Sequence, residues 1–359
     1  MPHPIVKVIA DQGCQSYLVG CPETRRALLV DPKVGRTKTI QDAAAKFGLT
    51  IERVVDTHTH ADHLSAGQAF AAAGLDIVMS RHTSCRRKVL RVGDGDGVQV
   101  GSLRFQVLEV PGHTPDSIAL WGHGLALVGD TLFAGSLARS DFRGASAAQL
   151  FDSVTRRLLT LPDETVVFAG HDYRDVLFTT IGHERRTNSA LRHADAAAYA
   201  RAIGDVPGAG NSPEVDHMLA LNQSVEPLPE LPSAVVAACC AAGPGPTTRA
   251  SAVTECTVAE LRASEPARAA AGRWIDVRDP WEFAEWRIPG TKNLPLSELG
   301  FHLAEFTSSD EPFVFSCLGG IRSKTAAKTL AYLGVVDGPI SLVGGINAWR
   351  DAGAPIERI

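Results

Sequence analysis

Three imidazoles and a carboxylate crowd into one short stretch, Thr57-His58-Thr59-His60-Ala61-Asp62-His63. Such a set is costly to bury unless a cation accepts its lone pairs. Neutral imidazole together with carboxylate suits zinc, iron or manganese. The same donor types recur further on: His113 in Val110-Pro-Gly-His-Thr, Asp130 in Val128-Gly-Asp-Thr, and His171 in Phe168-Ala-Gly-His-Asp. Each follows an apolar run, so all of them can gather at one edge of a sheet sandwich. A surface histidine cluster would account for the first stretch but not for this recurrence. A second chemistry sits near the other end, in Cys317-Leu-Gly-Gly-Ile-Arg322-Ser323. A thiol at a strand-to-helix turn lies among backbone N–H groups at the positive helix end, which lowers its pKa and stabilises the anion by about 0.3–1 kcal/mol. Gly319 and Gly320 permit the tight cradle that brings those amides round the sulfur.

Two sets of elements must position these groups. In the first half, Ile5–Ile9, Ala27–Val30, Arg53–Asp56, Ile77–Met79, Leu103–Val110, Ser117–Leu120, Leu125–Val128 and Thr165–Phe168 read as strands. Between them Thr37–Phe47, Ala66–Ala73 and Ala145–Leu159 read as helices, the last with Leu150, Phe151, Val154 and Leu158 on one face. Strands with interspersed helices imply a layered α/β domain over residues 1–204. Residues 205–254 carry Pro and Gly clusters (Pro227, Pro229, Pro232, then Gly243 to Pro246) and read as a linker with room for a helical piece. Thr257-Val-Ala-Glu260 is a capping-box pattern. Beyond it, strand and helix alternate through Arg273–Val277, Pro280–Trp286, Pro312–Ser316, Arg322–Leu333, Ile340–Val343 and Ile346–Ala352. That alternation is the signature of a parallel sheet in a second domain, residues 255–359.

Composition limits the partners. A chain of 359 residues, 45% hydrophobic and 21% charged, is globular and large enough for two cores. A net charge of −5 argues against nucleic acid. The start lacks the apolar core of a secretory signal, and Ala234–Ala242 is half the length of a membrane span, so the expected location is the cytoplasm with no membrane partner. Seven scattered cysteines (14, 21, 85, 239, 240, 256 and 317) form no CxxC pair and read as reduced thiols. The vicinal pair Cys239-Cys240 reads as two small apolar residues before it reads as a redox switch.

The N-terminal constellation resembles the metallo-β-lactamase superfamily, whose His-x-His-x-Asp-His motif and later His, Asp and His build a one- or two-metal site. The resemblance runs to about residue 200 and implies an αββα sandwich. His82, His123, His183, His193 and His217 lie outside its pattern and read as ordinary polar histidines. The Cys317 stretch resembles the rhodanese active loop, and Asp276-Val-Arg278, Glu282, Ile288-Pro-Gly290 and Leu342 to Trp349 agree with that family over residues 255–359. This implies an α/β rhodanese domain in which Cys317 and Arg322 are catalytic while Leu318, Gly319, Gly320, Ile321 and Ser323 line the substrate. Four residues separate Cys317 from Arg322, the sulfurtransferase spacing; related phosphatases have five. Arg287 stands where the family commonly has His, adding positive charge for an anionic donor.

Whether the first site holds one metal or two is the remaining question. All seven ligands of a dinuclear hydrolase are present, which favours a zinc thioesterase of the glyoxalase II kind. Against it, Leu137-Ala-Arg139-Ser-Asp141-Phe142 is similar to the corresponding stretch of persulfide dioxygenases, no glutathione-binding helical tail is recognisable, and the fused domain handles sulfur. Resemblance to persulfide dioxygenases implies one Fe(II) per chain on His58, His113 and Asp130, a facial triad leaving positions for substrate sulfur and O2. His60, Asp62, His63 and His171 would then hydrogen-bond the ligands and bound water. Arg139 and Tyr173 are assigned to glutathione persulfide by the same resemblance, with glutathione and sulfite as products and thiosulfate and sulfite exchanged at Cys317. A further family arginine falls on Ala190, with Arg192 two places on, which leaves the thiol carrier open. The resemblance also implies a homodimer. The third class of reading is a non-catalytic persulfide sensor.

Overall fold

The computed structural model describes residues 3–204, 212–226, 253–263, 272–306 and 312–358. Cys239-Cys240 and the Pro/Gly clusters between residues 227 and 252 lie outside the described residues. The chain forms two compact units, Met1–Tyr173 with Thr179–Gly245, and Arg174–Phe178 with Pro246–Ile359.

The first unit contains two six-stranded sheets. One takes its strands in chain order: Ile5–Asp11, Cys14–Gly20, Arg26–Val30, Thr50–Val55, Asp76–Ser80 and Leu90–Val92. The first three pair antiparallel and the rest parallel. In the other, the spatial order is Thr179–Thr180, Val166–Ala169, Leu125–Gly129, Ile118–Gly122, Leu103–Glu109 and Gly97–Val100. Helices Thr37–Lys46 and Gly67–Ala72 bury Ile40 and Phe70 against Leu29, Val54 and Ile77 of the first sheet. Helix Ala147–Arg156, capped by the Ser146 hydroxyl, buries Leu150, Phe151 and Val154 against the second. Tyr17 of the first sheet meets Phe168 of the second edge-on at 5.4 Å. The layers are therefore helix, sheet, sheet, helix.

Strand Cys14–Gly20 is buried along its whole length, so it has none of the apolar–polar alternation that marks a half-buried strand. Helix Pro213–Gln223 falls inside the stretch read as linker. Ser212 accepts from the Val215 N–H and Pro213 opens the first turn, a strong start signal.

In the second unit, five short strands lie parallel in the order Thr254–Cys256, Ile340–Leu342, Val314–Ser316, Trp274–Asp276 and Lys292–Asn293. Helices Pro280–Glu285, Ile321–Tyr332 and Gly345–Asp351 alternate with them. Trp274 and Trp349, both fully buried, meet at 89° with centroids 5.1 Å apart and anchor the core. Among the described residues no helix is long and apolar enough to cross a membrane.

Candidate functional site

The candidate metal ligands all sit just past carboxyl ends of strands. Thr50–Val55 runs into Asp56–His63, Leu103–Glu109 into His113, Leu125–Gly129 into Asp130, and Val166–Ala169 into His171. Glycine precedes three of these residues for a steric reason. At Gly170 a Cβ would stand 2.3 Å from Asp130 Oδ1, and at Gly112, with φ of +146°, it would stand 2.3 Å from the Leu150 backbone. Only glycine lets those loops close in.

The donor atoms of His58, His113 and Asp130 lie within 4.8 Å of one another, and all three residues are buried. Their tautomers are set from behind. Thr57 Oγ1 donates to Asp31 Oδ2 at 2.8 Å and lies 3.0 Å from His58 Nδ1, so that nitrogen must donate to the hydroxyl. His58 Nε2 then carries the lone pair, and it is buried without a hydrogen-bond partner. His113 Nδ1 donates to the Arg139 carbonyl at 2.8 Å, leaving Nε2 as its lone-pair nitrogen, 3.7 Å from Asp130 Oδ2. Burial first and the neighbouring His60 second push the His58 imidazole down from 6.5 to about 3. Burial and His63 push His60 down to about 4. Neutral imidazoles with aligned lone pairs beside an ionised acid are what a divalent transition ion requires. The residues fit such an ion.

Of the remaining donors, Asp62, His63 Nδ1 and His171 engage one another, while both His60 nitrogens and His63 Nε2 are buried without a hydrogen-bond partner. Asp62 Oδ2 accepts from His63 Nδ1 and from His171 Nε2, both at 3.0 Å, while His171 Nδ1 donates to Asp130 Oδ1 at 2.9 Å. Burial opposes a charge on His171, but the carboxylates of Asp130 and Asp62 outweigh it and raise the imidazole well above 6.5. Its two ring nitrogens span the two acids. Cys14 Sγ is 3.5 Å from Asp62 Oδ2, and the buried ammonium of Lys33 is 4.0 Å from that sulfur. His60 faces Asp31 at 3.3 Å and Asp56 at 3.9 Å rather than the triad.

Supporting residues without a motif of their own complete the site. Asp31 holds the Thr57 N–H, Asp116 holds the Thr59 N–H and hydroxyl, and Asp56 accepts from Ser65. Asn222, on helix Pro213–Gln223, donates to the carbonyls of His60 and His63 and accepts from the Ser65 N–H. Asp31 alone had a readable signal: like Asp130, it ends an apolar strand, and it carries φ of +49°.

In the second unit Cys317, 1% exposed, ends strand Val314–Ser316. Its sulfur accepts from the Gly320 N–H at 3.1 Å and is 3.5 Å from the Ser323 hydroxyl. Gly320 has φ of +94° and turns the chain into helix Ile321–Tyr332. Arg322 forks onto Glu282 at 2.7 and 2.8 Å.

Residues 74–171 match the metallo-beta-lactamase superfamily, and residues 257–352 match the rhodanese-like domain family. "Persulfide dioxygenase ETHE1, mitochondrial" of Homo sapiens is 31% identical over 180 residues, covering 49% of this chain and 70% of that protein. A hydroxyacylglutathione hydrolase of Rhodospirillum rubrum is 36% identical over 181 residues, covering 49% of this chain and 69% of that protein. The chain belongs to the metallo-β-lactamase superfamily. The crystal structure of ETHE1 from Myxococcus xanthus superposes with a TM-score of 0.57 at 34% identity, covering 61% of this chain and 98% of that one. A metallo-beta-lactamase from Staphylococcus aureus, at 24% identity and TM-score 0.57, shares the fold over 95% of this chain.

For a superfamily member with persulfide dioxygenase relatives and a rhodanese-like domain, the other expected contacts are informative. The Arg139 guanidinium forks onto Asp141 at 2.7 and 2.8 Å and lies over the Phe142 ring at 4.5 Å. Phe142 in turn stands edge-on to His113 at 5.4 Å. The Tyr173 ring stacks parallel to His171 at 5.5 Å. Ala190 packs against the core of the second sheet. Of the histidines outside the motif, His82 faces Glu109 and His123 accepts from the Arg104 N–H. Arg287 is paired with Glu357 at 2.9 Å.

Proposed function

We propose that the N-terminal unit oxidises glutathione persulfide with O2 and water to sulfite and glutathione, and that Cys317 exchanges sulfane sulfur among glutathione persulfide, sulfite and thiosulfate. One iron, held by His58, His113 and Asp130, would supply redox chemistry and open positions for the sulfur and for O2.

The observation that carries this reading is the contrast between the two donor sets. His58 Nε2 is left as a buried lone pair beside His113 and Asp130, whereas His171 is spent between Asp62 and Asp130. A second dication among Asp62, His63 and His171 would have to displace the contact between His171 Nε2 and Asp62, with the buried Lys33 ammonium close by. The chain's own residues do the rest. Thr57 and the Arg139 carbonyl hold the imidazoles in the ligating tautomer, His171 orients Asp130, and Phe142 packs edge-on against His113. The persulfide dioxygenase relatives support the substrate class. Sulfite leaving the first site is a reactant at the second, a chemical rationale for fusing the two.

Asp130→Ala is expected to abolish O2 uptake with glutathione persulfide and leave sulfur transfer intact; Cys317→Ser is expected to do the reverse. A folded Asp130→Ala protein that still consumes O2 at the parent rate would remove the triad from the chemistry. The second reading is a dinuclear zinc thioester hydrolase. It is favoured by the partnerless Nε2 of buried His63 and by the hydroxyacylglutathione hydrolase relatives. Hydrolysis of an acylated glutathione at a rate exceeding persulfide oxidation would establish it.

A further inference from the structure

We propose that Glu282 sets the donor specificity of the sulfur loop: by clamping Arg322 it makes the loop discriminate against the thiosulfate dianion in favour of a persulfide carried on a thiol. The inference rests on the reading of Cys317 as a sulfur-accepting nucleophile.

The loop is poor in charge. Leu318, Gly319, Gly320 and Ile321 carry none, and Leu318 and Ile321 are 39% and 80% exposed. Val343 adds a third exposed apolar side chain, on the turn that follows strand Ile340–Leu342. Arg322, the loop's one cation, gives both terminal nitrogens to Glu282, and Asp279 Oδ2 stands 3.6 Å away. One guanidinium is thus faced by two carboxylates. Among the described residues of this unit, Arg287 is matched to Glu357, Arg278 to the buried Asp276, and Lys324 to Glu255.

Thiosulfate carries its charge on oxygens one bond from the sulfur to be transferred. Those oxygens must enter the loop with the sulfur, where backbone N–H groups and the Ser323 hydroxyl, but no unmatched cation, remain to receive them, against the field of Glu282 and Asp279. A thiol persulfide brings at most one charge at the reacting sulfur, and its carbon chain meets Leu318 and Ile321. Carboxylates further along a carrier such as glutathione stay in solvent. In the step itself the Cys317 thiolate attacks the terminal sulfur of R–S–SH. The new S–S bond forms on Cys317, the donor S–S bond breaks, and RS⁻ departs with its electron pair; the proton stays on the transferred sulfur. No external oxidant or reductant enters.

Glu282→Gln keeps the side-chain oxygen that accepts from the Asp279 N–H and removes the charge. It is expected to raise kcat/KM for thiosulfate about tenfold and to change that for glutathione persulfide less than about twofold. Ile321→Lys places an unmatched cation at a solvent-facing position and is expected to shift the ratio the same way. The assay is single-turnover loading of Cys317, with sulfur bound to the intact chain counted by mass spectrometry. A parent protein that loads from thiosulfate as efficiently as from glutathione persulfide overturns the inference, as does a ratio unmoved in both variants. A folded parent protein that loads from neither donor overturns instead the sulfurtransferase reading on which it rests.

Discussion

Asn222 tests whether the metal loop is held by a helix that the sequence presents as linker. Its Nδ2 donates to the carbonyls of His60 and His63, each at 2.8 Å, and its Oδ1 accepts from the Ser65 N–H at 3.0 Å. The side chain is 3% exposed, so water does not replace these bonds freely. Asn222→Ala strands two carbonyls and one N–H in the interior. Each stranded group costs about 1–3 kcal/mol, so a loss near the bottom of the sum, about 3 kcal/mol, is expected after local relaxation. Hydrogen exchange of residues 56–66 reads this directly: the Ser65 amide loses its acceptor, and protection there should fall about a hundredfold, since each 1.4 kcal/mol is tenfold. Asn222→Asp keeps the Ser65 acceptor but turns a carboxylate on the two carbonyls, so metal content should fall in both variants. Unchanged protection and full metal loading in Asn222→Ala would refute the reasoning and return the helix to the role of spacer.

Three further outcomes are expected. Thr57→Val removes the hydroxyl that fixes the His58 tautomer and should weaken metal affinity by about 10–100-fold in chelator competition with the fold retained. Gly170→Ala drives a methyl group into Asp130 Oδ1 and should lower metal content and O2 uptake together, with sulfur transfer by Cys317 unaffected. Gly320→Ala forces a side chain onto φ of +94° with Gly344 N at 3.1 Å, so Cys317 loading should slow at least about tenfold while metal content holds, the strain costing about 1–3 kcal/mol.

What could be read from residue order follows from where the physics is local. Strands such as Leu103–Glu109 and Leu125–Gly129 announce themselves by β-branched and apolar runs, and their carboxyl ends carry the ligands. Cys14–Gly20 escapes because both faces are buried. Helix Ala196–Ile203 escapes although Asp195 caps its start and left-handed Gly204 its end, since a run of alanines shows no stripe. The helix read over Ala145–Leu159 ends earlier, at Arg156, and tightens into a 3-10 turn over Leu158–Thr160. Helix Pro213–Gln223 takes up the room left for a helical piece between residues 205 and 254, but the Pro and Gly residues that flank it hide its bounds. In the sites the same division holds. Histidine spacing and the Cys317 loop are visible in the sequence, but the residues that tune them come from distant segments. Asp56 and Asp116 carry no signal of their own, and Glu282 neutralises Arg322 from 40 residues away. Two arginines that composition offers to anions, Arg139 and Arg322, are each forked onto an acid.

The central claim is one redox-active ion on two imidazoles and one carboxylate. Elemental analysis of protein purified anaerobically, paired with O2 consumption on glutathione persulfide, tests it most directly. The account predicts a single iron per chain and oxygen uptake lost on its removal and regained with Fe(II). Two zinc ions per chain, no oxygen uptake, and rapid cleavage of an acylated glutathione would contradict it.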